Sequence, residues 1–286
     1  MLVTLKEILE IAEERKIAVG SFNTPNLESL MAVIGGAKEL GVPVIIQFAQ
    51  CHEPWIPLSV IGPIMVEHAK RAEVPVCVHL DHGETLEYLQ QALDMGFTGI
   101  MYDGSVLPYE ENRENTKAAA MAAKTGAGVE AELGSMGKRE SGAGDGTGAE
   151  DETKIYTDPA LAKRFVEETG IDALACSFGT THGIYLTKPK LDFDVVQKVR
   201  KLTDEIPVVM HGGSGVSRED FREAVRAGVR KVNYFTYMDK GGGSAAEYIQ
   251  TVKAGEPVFF SSVIQEAEKA MKENVKEAMK TFAMMD

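Results

Sequence analysis

His82, His182 and His211 each stand immediately before a glycine, and each closes or follows a short apolar run of the kind that forms a buried strand. Zinc in catalytic sites commonly takes three protein ligands and leaves one position for substrate. A lone histidine in such a place is more often structural, but three in equivalent places point to a metal. Other polar residues repeat the pattern: Asn23, Asp81, Asp103, Glu132 and Asn233 all fall in or at the end of such runs. His79 lies back along the run before Asp81 and reads as a packed or supporting group; His52 and His68 are weaker candidates, His68 on a helix surface. The turn His211-Gly212-Gly213-Ser214-Gly215-Val216-Ser217 offers successive backbone N–H groups to an anion ahead of a helix. With Asn233 and Thr236 on the next segment, phosphate binding is the better reading of that turn.

Only one arrangement brings residues from both halves of the chain to a common site in this way. Apolar runs occur at 17–22, 42–48, 74–80, 99–102, 128–133, 173–178, 206–210 and 229–233. Between them lie patterns of helical period, such as 27–40 and 84–95. Eight such units predict an α/β fold, a closed (β/α)8 TIM barrel, with an extra helix over 263–282. An open doubly wound sheet is the alternative. In a barrel the ends of the strands carry the chemistry, and the loops after strands 7 and 8 often hold phosphate.

The 286 residues, 44% of them hydrophobic, suit a single domain over 1–286. Two stretches break the rhythm. Ser135 to Tyr156 is Gly-rich and charged and reads as a mobile active-site loop; Lys240-Gly241-Gly242-Gly243-Ser244 reads as a flexible hinge opening a divergent region, 240–286. The net charge of −13 argues against nucleic acid or a membrane surface as partner. An acidic protein that binds phosphate needs local positive potential, from a metal or from backbone N–H groups. The three cysteines, Cys51, Cys77 and Cys176, form no CxxC pair and read as buried and structural. With no signal-peptide pattern at the start and no long uncharged apolar stretch, a cytoplasmic location is expected.

The segments HLDHG at 79–83, MYDGS at 101–105, VEAELG at 129–134, GTTHGIY at 179–185, HGGSG at 211–215 and KVN..T at 231–236 resemble the class II fructose-bisphosphate and tagatose-bisphosphate aldolases, as does GSFNTPNLES at 20–29. The resemblance implies Zn2+ on His82, His182 and His211, with Asp103 and Glu132 near it as supporting or alternate ligands. It implies that Asp81 is the acid/base on the C4 hydroxyl of a ketose phosphate. Asn233 would hold the dihydroxyacetone moiety and Gly183, Gly212, Ser214 and Thr236 its phosphate, with a monovalent cation (Na+ or K+) beside it. Asn23 joins the substrate-binding set, and Glu140 takes the place of a loop acid that exchanges a proton with the dihydroxyacetone carbon. A homodimer or homotetramer is implied as well.

Two departures concern the aldehyde end. The stretch Gly255-Glu256-Pro257-Val258-Phe259-Phe260-Ser261-Ser262 lacks the arginine that relatives use for a distal phosphate. The segment Gln47-Phe48-Ala49-Gln50-Cys51-His52-Glu53-Pro54-Trp55 is bulkier than its Ser/Gly-containing counterpart. The aldehyde is therefore expected to differ from glyceraldehyde 3-phosphate, unless Lys138, Arg139 or a partner subunit replaces the arginine. Tyr234, Phe235 and Tyr237 would either narrow the pocket or pack beneath the last helix. Cobalt, iron or manganese could replace zinc. Schiff-base aldolase chemistry finds no lysine on the sixth run, metal-dependent hydrolysis lacks the usual His-x-His, and a non-catalytic companion subunit would not need Asp81 with three histidines.

Overall fold

The computed structural model describes residues 1–123, 126–134, 156–180, 189–252 and 255–286. Eight parallel strands close into a barrel in chain order: β1 (Val19–Asn23), β2 (Val44–Ala49), β3 (Val76–Gly83), β4 (Gly99–Tyr102), β5 (Gly128–Leu133), β6 (Ala173–Cys176), β7 (Val208–Met210) and β8 (Val229–Tyr234), with β8 pairing back onto β1. The expected runs and the strands agree to within a few residues. Helix α1 (Leu5–Arg15) precedes the barrel, and α2 (Leu27–Leu40), α3 (Leu58–Arg71), α4 (Leu86–Asp94), α5 (Tyr109–Ala122), α6 (Pro159–Thr169), α7 (Phe193–Leu202) and α8 (Arg218–Ala227) follow β1 to β7. After β8 come α9 (Thr236–Val252) and α10 (Phe260–Phe282), the expected extra helix. No described helix is long and apolar enough to cross a membrane.

Outward-facing strand residues such as Ile46, Val78, Ile100 and Val232 join the helices in one large apolar layer. A second apolar cluster lies inside the barrel at its N-terminal end: Leu5, Ile8, Leu9 and Ala12 of α1 pack on Val19, Ile45, Cys77, Ala173, Ala175 and Val209. Thr4 and Glu7 form a capping box that starts α1 there. Successive inward residues, two apart along each strand, then change character toward the other end. Ile45 gives way to Gln47, Cys77 to His79 and then Asp81, Glu130 to Glu132, Lys231 to Asn233 and Val209 to His211. The barrel thus has an apolar floor and a polar mouth.

The expected hinge at 240–244 is helical instead, inside α9. The reason is close packing: a Cβ on Gly242 would come within 3.1 Å of Met271 Cγ on α10, whereas one on Gly243 would meet nothing within 4 Å. Gly243→Ala is therefore expected to raise stability by about 0.5–1 kcal/mol, read by urea denaturation, and Gly242→Ala to give no such gain. Cys77 and Cys176 are buried as expected, but Cys51, in the turn that leaves β2, is exposed.

Candidate active site

Asp81 and His82 are neighbours on β3, and regular alternation would send their side chains to opposite faces. The β3–β4 register shifts between Leu80 and Gly83, and His82 takes a left-handed backbone with φ of 47°. Such a bulge re-aims a side chain. Here Asp81, His82 and His211 bring possible ligand atoms within 4.8 Å of one another, and His82, Asp103 and Glu132 do the same.

Asp81 is buried, and three side-chain amides grip it. Asn233 Nδ2 donates to Oδ1 at 3.0 Å, and Gln47 Nε2 and Asn23 Nδ2 donate to Oδ2 at 3.0 and 3.2 Å. Burial alone would raise its pKa, but His82 and then His211 outweigh burial and hold the carboxyl below the usual carboxylate range. Asp81 is thus an ionised base with its oxygens fixed in direction. Asn233 is itself held by Lys231, whose Nζ donates to Oδ1 at 2.6 Å.

The two described imidazoles are oriented from behind. His82 Nδ1 lies 2.8 Å from Asp103 Oδ2, and His211 Nε2 lies 2.7 Å from Glu130 Oε1. Each carboxylate accepts an N–H, so in the neutral ring it is the other nitrogen that carries the lone pair. Those nitrogens, His82 Nε2 and His211 Nδ1, face each other at 3.1 Å. Glu132 Oε2 is buried with no hydrogen-bond partner among the described residues, 3.7 Å from His211 Nδ1. Burial, and after it the charge of Asp103, pushes the Glu132 carboxyl up to about 8. Burial disfavours a charged His82, yet Asp81 and Asp103 overcome it and raise the ring to about 10; burial lowers His211. The pocket therefore gathers carboxylates and ring nitrogens that must shed protons to ligate, with their ligand atoms directed at one place.

Beneath this layer lies a fully buried ion pair, Lys231 Nζ to Glu130 Oε2 at 2.9 Å. Burial works to raise the Glu130 carboxyl, and Lys231 with His211 holds it down at about 2. Glu130 steers His211 while Lys231 steers Asn233, so the pair supports both sides of the mouth. Lys231→Met strands a buried carboxylate and is expected to cost about 3–5 kcal/mol of stability in denaturant titration, much of it recovered by adding Glu130→Gln.

The turn after β7 comes close against β8. A Cβ on Gly213 would sit 2.8 Å from the Asn233 carbonyl oxygen, so only glycine lets this loop lie beside Asn233. Gly212 adopts φ of 65°, Ser214 is buried, and Ser217 caps α8 by accepting from the Asp220 N–H. Backbone N–H groups are thus gathered at a helix start next to the histidines.

The family model for class II fructose-bisphosphate aldolase matches residues 3–286. The chain belongs to this family. The fructose-bisphosphate aldolases of Staphylococcus aureus and Staphylococcus epidermidis are each 35% identical to it, over 98% of this chain and 97% of theirs. The crystal structure of the YdjI aldolase from Escherichia coli K12 superposes with a TM-score of 0.86 at 34% identity, covering 99% of this chain and 97% of that one. The enzyme is an aldolase of the metal-dependent class.

The described part of the aldolase site fits a divalent ion. Ring nitrogens of His82 and His211 that approach to 3.1 Å, and a buried Glu132 oxygen with no hydrogen-bond partner among the described residues, suit one cation once the protons are displaced. His182, Gly183, Glu140 and nearly all of the 135–156 loop lie outside the described residues. Asn23, Asp81, His82, Asp103, Glu132, His211 and Asn233 gather at the mouth, with Gly212, Ser214 and Thr236 on the β7–α8 and β8–α9 segments beside it. Gln47, Glu130 and Lys231 are further site residues, which lie within the quoted segments but carry no role in the motif reading. Their signal is spacing: each is two residues from an inward-facing polar or small position on its strand. Of the bulky residues after Asn233, Tyr234 packs edge-on against Phe22 and Phe282, beneath the last helix, while Phe235 turns toward His52 and Trp55.

Proposed function

We propose that this aldolase reversibly cleaves a ketose 1-phosphate or 1,6-bisphosphate, of fructose or tagatose type, to dihydroxyacetone phosphate and an aldehyde, using Zn2+ held by His82, His182 and His211. The observation that carries the reading is the grip of three amides on buried, ionised Asp81, with His82 Nε2 3.9 Å from its Oδ1. The metal, when bound, supplies a Lewis acid for the negative charge that develops on the ketose oxygens.

Asp81 takes the C4 hydroxyl proton as the C3–C4 bond breaks, and in the reverse direction returns it to the new alkoxide. Its amide partners hold it in the charged form and aim it, so little reorganisation is left for the reaction itself. Asn233, braced by Lys231, keeps the dihydroxyacetone hydroxyl in register with Asp81. Asn23 contributes from the opposite side. Gly212, Ser214 and Thr236, with Gly183, bind the phosphate through backbone N–H and hydroxyl donors, and a monovalent cation, Na+ or K+, offsets its remaining charge. Glu140, on the loop 135–156, carries the proton to and from the dihydroxyacetone carbon, and loop closure keeps water out. Asp103 orients His82, and Asp103 and Glu132 serve as alternate ligands. The whole of 1–286 acts as one catalytic domain, with 240–286 its divergent part. We place the enzyme in the cytoplasm as a homodimer or homotetramer whose partner is a sugar phosphate rather than nucleic acid or membrane.

Two measurements test this. Dihydroxyacetone phosphate in D2O should lose one methylene proton signal on addition of enzyme, and a panel of ketose 1-phosphates should yield dihydroxyacetone phosphate. An enzyme that does neither with metal supplied would overturn the reading.

A further inference from the structure

At the edge of the mouth, the turn after β2 builds an aromatic wall that the chemistry above does not use. His52 is buried at 4% exposure, while Trp55 is 66% exposed and stacks on it at 4.6 Å between ring centroids, nearly parallel at 21°. Phe235, from the segment after β8, closes on His52 at 5.0 Å, and Phe48 meets it edge-on at 6.0 Å. Glu53 locks the turn by accepting from Tyr88 Oη at 2.5 Å and from the Leu58 N–H at 2.9 Å. The exposed indole, backed by a buried ring, offers a flat apolar face to a ligand.

The wall belongs to the catalytic mouth. It joins the ends of β2 and β8, the strands that supply Gln47 and Asn233 to Asp81, and His52 lies near enough to Asp81 to feel its charge. Its chemistry is poor for a phosphate. Phe48 to Pro57 contains no lysine or arginine, and Glu53 adds a carboxylate. Burial lowers the His52 ring to about 4, so it carries no positive charge at neutral pH. His52 Nδ1 is also buried with no hydrogen-bond partner among the described residues, and a polar atom left so in a folded protein calls for a ligand or an ordered water.

We propose that the Trp55–His52–Phe235 wall receives the aldehyde half of the substrate, and that this half is an unphosphorylated hydroxyaldehyde whose C–H face lies on the indole. The inference rests on the dihydroxyacetone phosphate reading and adds the substrate class at the other end. A chain of hydroxylated carbons offers an apolar face for the ring and hydroxyls for the polar mouth, whereas a terminal phosphate would meet no lysine or arginine from the turn 48–57.

The test measures condensation of dihydroxyacetone phosphate with glyceraldehyde, with four- to six-carbon hydroxyaldehydes and with glyceraldehyde 3-phosphate. It uses the metal-loaded wild type, Trp55→Ala and Trp55→Phe. We expect the longer unphosphorylated aldehydes to give the highest kcat/KM. Trp55→Ala should raise their KM about 10-fold with a smaller change in kcat, and Trp55→Phe should recover most of the loss. Preference for glyceraldehyde 3-phosphate, or an aldehyde KM that Trp55→Ala does not move, overturns the inference. Exchange of the dihydroxyacetone phosphate methylene proton, which needs no aldehyde, reads the other half of the site. If the wild type lacks that exchange, the parent reading fails and this inference fails with it.

Discussion

Replacing Asp81 with alanine is expected to lower kcat by about 10²–10⁴-fold, the usual worth of a positioned general acid/base, with a much smaller change in KM. The carboxylate is buried and ionised, and its two oxygens already accept three amide hydrogen bonds. No other described carboxylate has that arrangement. Asp103 is committed to His82 and Ser105, and Glu130 to His211 and Lys231. Because the two imidazoles are oriented by Asp103 and Glu130 rather than by Asp81, the variant should keep its metal. Steady-state kinetics together with metal analysis of the purified variant check both halves of this statement. Loss of metal in parallel with activity would show that Asp81 is chiefly a ligand.

Stripping the metal should have a still larger effect. Lewis-acid stabilisation worth about 4 kcal/mol or more corresponds to at least ~10³-fold in rate. Activity should vanish on chelation and return on adding zinc, and His211→Ala should lower metal occupancy together with turnover. The sign of the pH dependence follows from the pocket without metal. His82 and Glu132 are both raised above their ordinary values, to about 10 and about 8, so both hold protons at neutral pH. An ion must displace them, because only deprotonated groups ligate. Affinity should therefore tighten with rising pH between about 6 and about 9, with at least one proton released per ion bound. Competition titrations in buffers of different ionisation enthalpy measure both quantities. An affinity that is flat across this range contradicts the charge balance described for the mouth.

The barrel was largely legible from the sequence, because strands covered on both faces leave near-continuous apolar runs, and eight of them alternate with helical patterns. The mouth residues were legible because polar side chains closing such runs have few structural uses. The layer beneath was not. Glu130 and Lys231 sit within runs that read as core, and nothing local announces that a glutamate on β5 and a lysine on β8 meet at 2.9 Å across the barrel. The bulge that turns His82 was hidden as well, since a left-handed backbone is uncommon in any residue but glycine, even though histidine is among those that adopt it more readily. Gly241 to Gly243 misled for the opposite reason. Local composition suggests flexibility, yet contact with Met271 and the rest of α10 makes a packed helix of it, a tertiary effect that propensity cannot register.

The apolar plug formed by α1 reaches further than its own packing. Leu5, Ile8, Leu9 and Ala12 bar water from below, so the Glu130–Lys231 pair sits in a poorly screened medium where each charge acts strongly on its neighbours. Were the first turns of the chain loosened, solvent would reach that pair from the underside and its hold on His211 and Asn233 would weaken. The reactivity of the open end thus depends on a seal at the closed end, made by side chains that never meet a sugar.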